Sequence, residues 1–142
     1  MFLCLVLPLL KKAKRSMNYL ILYHGYFRWL VLASLIFAIS WAGRGYLKQL
    51  PFSKHDDRTL PWTATITHIQ FVIGMILYFK SPLVAYFLNQ PKKFQTFSDA
   101  TFFGVIHSSL MLLAVIVISI GSSVSKRQNT SSDKFRTMFI WF

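Results

Sequence analysis

Three histidines, His24, His68 and His107, stand inside long stretches that hold almost no other ionisable group. A neutral imidazole is a general metal ligand, and two of them facing each other across a helical bundle complete six-coordinate haem iron. The fourth histidine, His55, sits among Lys54, Asp56, Asp57 and Arg58 and reads as a solvated loop residue. Other chemistries fail on residue type. A single cysteine, Cys4, excludes an intramolecular disulfide, a zinc knuckle, an iron–sulfur site and Cys-x-x-Cys-His haem attachment. The four acidic residues are all aspartates, so a His-Glu-x-x-His zinc site cannot exist.

The elements that must position these histidines are apolar. Of 142 residues 54% are hydrophobic and only 14% charged, against roughly 25% in soluble domains. A mean hydropathy of +0.46 agrees with an integral membrane protein. A bilayer-crossing helix needs about 20 mostly apolar residues. The stretch from Ala100 to Ser125 is free of charge, with Ser98 and Asp99 as cap residues before it and Lys126–Arg127 after it. Thr59 to Phe79 is equally charge-free, opens with Pro61 and closes before Lys80-Ser81-Pro82. Trp29 to Gly43 is short and must extend upstream through Arg28 and His24 to about Tyr19.

The pattern predicts an all-α, up-and-down membrane bundle with full helices over about 19–43, 61–80 and 100–124. A stub over 134–142 then reads as the start of a truncated fourth helix, and Leu83 to Leu88 as a short interfacial one. These elements form a single membrane domain, residues 17–142. Residues 1–16 read as an upstream extension or mis-assigned start, because the lysine–arginine cluster follows the apolar run instead of preceding it.

The net charge of +12 follows topology. Arg44, Lys48, Lys54, Arg58, Lys126, Arg127, Lys134 and Arg136 fall on one side; Arg28, Lys80, Lys92 and Lys93 fall on the other. The richer side reads as cytoplasmic. Lipid headgroups account for these cations, so nucleic acid is not an expected partner.

Depth pairs two of the histidines. His24 and His107 lie about five and seven residues into helices that start on the same side, within one turn of the same level at 1.5 Å per residue. The pair would take one b-type haem between the first and third helices. Gly104, three residues before His107, would leave room for a flat macrocycle, and Arg28, one turn after His24, could pair with a propionate. His68 enters from the opposite side, as a further candidate ligand or as a proton or quinone contact with Gln70, Thr65 or Thr67. Each histidine can equally be a hydrogen-bonding contact between helices, Arg28 can snorkel to lipid phosphate, and Gly104 can merely permit close packing.

The run Tyr23-His24-Gly25-Tyr26-Phe27-Arg28-Trp29, then Lys54-His55-Asp56-Asp57-Arg58, Thr67-His68-Ile69-Gln70, Gly74 to Phe79, Ser81-Pro82-Leu83 and His107 form an ordered set. In that order they resemble a family of small bacterial four-helix membrane proteins called cytochrome b-like. The resemblance implies a protein of the bacterial inner membrane carrying b-type haem in electron transfer, with quinol or a respiratory complex as partner. Such a protein is an electron carrier or membrane subunit, with no self-sufficient enzyme site. A non-catalytic membrane subunit or assembly factor with packing histidines is the alternative.

Overall fold

The computed structural model describes residues 2–89 and 98–142, and every regular element among them is helical. The first, α1, runs Phe2–Leu47. It therefore begins well before Tyr19, because the residues just upstream are strong helix formers such as Leu, Lys, Ala and Arg. Its end is a Schellman turn. The Leu50 N–H reaches the Gly45 carbonyl and the Gln49 N–H the Tyr46 carbonyl, with Gln49 left-handed at φ 50° and Pro51 beyond.

Helix α2 runs Lys54–Lys80, two turns earlier than a start at Pro61. The cause is a capping box: the Ser53 hydroxyl accepts the Asp56 N–H, and the Asp56 carboxylate accepts the Ser53 N–H at 2.7 Å. The Trp41 indole N–H, from α1, donates to the same carboxylate. Pro61 thus lies inside the helix, where it removes one backbone donor. Along α2 the hydroxyls of Thr59, Thr63, Thr65 and Thr67 each donate to the carbonyl four residues back. Polar side chains are thereby satisfied within an apolar helix.

Ser81 ends α2 and caps α3, Pro82–Leu88, in agreement with the short helix expected there. The remainder of the connection, residues 90–97 with Lys92 and Lys93, lies outside the described residues. Helix α4 spans Asp99–Lys126 and begins at the expected cap, with the Ser98 hydroxyl accepting the Thr101 N–H. Phe102–Ile106 within it is π-helical. Helix α5, Ser131–Trp141, starts three residues ahead of the expected stub because Thr130 accepts the Asp133 N–H.

Three helical segments, Arg15–Leu47, Lys54–Lys80 and Asp99–Lys126, are long and apolar enough to cross a membrane. Helix α1 packs on α2 and α5, and α4 packs on the same two, so α1 and α4 lie diagonally. Where α5 enters, Ala42, Phe135 and Met138 form a core that excludes solvent almost completely. Gly45 makes this possible: a Cβ there would stand 2.6 Å from the Phe135 ring. At the other end of the bundle stand His24, His107 and the C-terminal half of α2.

Candidate functional site: a histidine pair across the bundle

The structure brings His24 of α1 and His107 of α4 together. Their ring centres are 6.3 Å apart and their planes 83° apart. Both helices run the same way, and the two rings meet at one level although α1 extends far further upstream of its histidine than α4 does. The rotation that turns His107 inward is set locally. The His107 N–H reaches back five residues to the Phe102 carbonyl, and the preceding turn holds one residue more than an α-helical turn. The Phe102 and Phe103 rings flank the His107 ring, with centres 5.9 and 6.0 Å away.

The same wide turn separates Gly104 from His107. In a continuous α-helix residues three apart share a face; the π turn breaks that register. Gly104 looks instead at α3, where a Cβ would stand 2.7 Å from the Phe87 ring, and its carbonyl accepts the Tyr78 hydroxyl at 3.0 Å. The space beside Gly104 is filled by Phe87.

The third wall comes from α2 and consists of Gln70 and Gly74, one turn apart. The Gln70 amide nitrogen donates to the His24 carbonyl at 3.1 Å and lies 3.4 Å from His24 Nε2. Gly74 allows α2 to close on the imidazole, since a Cβ there would stand 3.1 Å from His24 Cε1. Two buried side-chain atoms in this cluster, His24 Nδ1 and Gln70 Oε1, have no hydrogen-bond partner, and no other buried side-chain nitrogen or oxygen is so placed among the described residues. Orphaned buried polar atoms are rare in native folds.

Sequence reasoning placed Gln70 beside His68, yet residues two apart on a helix point to nearly opposite sides. That spacing was the available signal, and Gly74, four residues after Gln70, carries the same one. His68 faces α4: Nδ1–H donates to the Ala64 carbonyl at 2.6 Å, and Nε2 lies 3.1 Å from the Ser119 hydroxyl, which itself donates to the Val115 carbonyl. It is not part of the pair. Arg28 is exposed and rests its guanidinium over the Trp29 ring at 5.3 Å. His55 is exposed in the first turn of α2.

No cluster of three or more His, Cys, Asp or Glu side chains suited to a metal ion occurs among the described residues. The pair offers two imidazoles. Comparison with protein-family models, with curated proteins and with solved structures finds no match.

Proposed function

We propose that this chain is a small integral membrane protein that would carry b-type haem for electron transfer, held by His24 and His107. The observation that carries the reading is the 6.3 Å separation of the two rings. Two imidazoles this close, one from each of two helices, would be the residues to hold a haem between them.

Haem, when bound, supplies the one-electron chemistry. The chain's own residues hold it and shape its surroundings: His24 and His107 ligate, Phe102 and Phe103 wall one side, and Gly74 keeps α2 from crowding the His24 ring. Arg28, one turn along α1 from His24 and exposed, is the cation available to a propionate. In this reading the protein lies in a bacterial inner membrane, with the α1–α2 and α4–α5 connections on the cytoplasmic side because they hold more cations. Quinol or a respiratory complex is the exchange partner. A second reading, a membrane subunit whose histidines only pack, is favoured by the Gln70 contact to His24 and by the close approach at Gly74.

A dithionite-reduced minus air-oxidised visible spectrum of the purified protein, expressed with ample haem, separates the two. A sharp b-type α band that His24→Ala and His107→Ala each abolish, with helical content retained, supports ligation. A flat spectrum from the folded wild-type chain refutes it and leaves packing.

A further inference from the structure

We infer that Gln70 is a positioning residue that dictates which nitrogen of His24 carries the proton, and that it guards the His24 Nε2 lone pair until a ligand displaces it. The argument rests on directionality. The His24 backbone carbonyl can only accept, so the side-chain atom of Gln70 that lies 3.1 Å from it must be the amide nitrogen. The orientation of the amide is therefore determined. Its second N–H is left facing His24 Nε2 at 3.4 Å, and that nitrogen must then be the acceptor. The imidazole proton consequently sits on Nδ1.

This assignment also explains both orphaned atoms. Nδ1–H is a donor pressed toward Gly74, which offers no acceptor side chain, and Gln70 Oε1 is an acceptor left over once both N–H groups point at His24. Turning the amide over would set two carbonyl oxygens against each other. Gln70 is 9% exposed, so water competes poorly for these groups. Across the bundle, by contrast, no hydrogen bond to the His107 side chain occurs among the described residues. The two histidines thus differ: His107 is open to a ligand and His24 is held.

The consequence for loading rests on the haem reading given above. A ligand that takes the Nε2 lone pair must first break the Gln70 contact. Affinity is lowered by the fraction of molecules in which that contact is closed, and a change that removes it recovers the affinity. Gln70→Met keeps the side-chain length and apolar bulk while removing both donors.

The test uses histidine labelled with nitrogen-15 in the detergent-solubilised full chain, free of haem, and hemin titration of the same samples. Wild type is expected to show His24 with Nδ1 protonated and Nε2 bare; Gln70→Met is expected to shift the population toward Nε2–H. Hemin is expected to bind Gln70→Met about fivefold more tightly than wild type. A wild-type His24 protonated on Nε2 overturns the assignment, even where the variant fails to fold. An unchanged tautomer in folded Gln70→Met overturns the positioning role, and equal hemin affinity after a confirmed shift overturns the guarding role. Hemin binding to neither protein refutes the haem reading while the tautomer result stands alone.

Discussion

The two ends of this bundle are built on opposite principles. Around α5, space is filled and polar groups are paired. Phe135 and Met138 are at most 1% exposed, the Gly45 gap is occupied by a ring, and the Ser125 hydroxyl donates to the Lys134 carbonyl at 3.2 Å. The Ser131 hydroxyl accepts the Phe52 N–H across the same end. Around His24 and His107 both rings are only partly buried and two polar atoms lack partners. An end that is closed and satisfied contributes stability. An end with unused hydrogen-bonding capacity can take a ligand, at a cost that the other end offsets.

Stability and ligand binding should therefore separate by region. Phe135→Ala empties the core of the α5 end and is expected to lower unfolding free energy by about 3–5 kcal/mol. Equilibrium unfolding in mixed micelles, followed by helical dichroism, measures this, and a loss under 1 kcal/mol would erase the contrast drawn between the ends. Trp41→Phe removes the α1 donor to Asp56, a carboxylate only 4% exposed, and is expected to cost about 1–3 kcal/mol while hemin binding at the far end stays unchanged. Parallel unfolding and hemin titrations check both halves of that expectation.

The smallest effect is expected at His68. Its contact to Ala64 stays within α2, and its contact to Ser119 is worth about 0.6 kcal/mol on the scale of interhelical hydrogen bonds in membranes. His68→Leu should accordingly leave the reduced-minus-oxidised spectrum as in wild type. A band shift in that variant would bring His68 back into the site.

Much of the fold is legible in the residues. Charge-free stretches mark the three long helices, and Ser98-Asp99 and Ser81-Pro82 mark two of the boundaries. The start of α2 was legible too, as Ser53 followed three residues later by Asp56, but Pro61 suggests a later start to any reading that weighs proline above capping. Gln70 and Gly74 were legible by helical spacing. The π turn at Phe102–Ile106 was not, because no residue type encodes an extra residue in a turn; it has to be selected by what packs on either side.

What the sequence alone determined is the number and approximate level of the apolar spans, and hence that one histidine on each of two parallel helices reaches a similar depth. Those properties depend on local hydrophobicity and on a fixed rise per residue. Only the tertiary structure decided which way the side chains face. Phe87 fills the space beside Gly104, the π turn swings His107 toward His24, and α2 brings Gln70 rather than His68 to the pair. Rotation about a helix axis costs the isolated helix nothing, so the phase of each helix is chosen by the neighbours it must pack against.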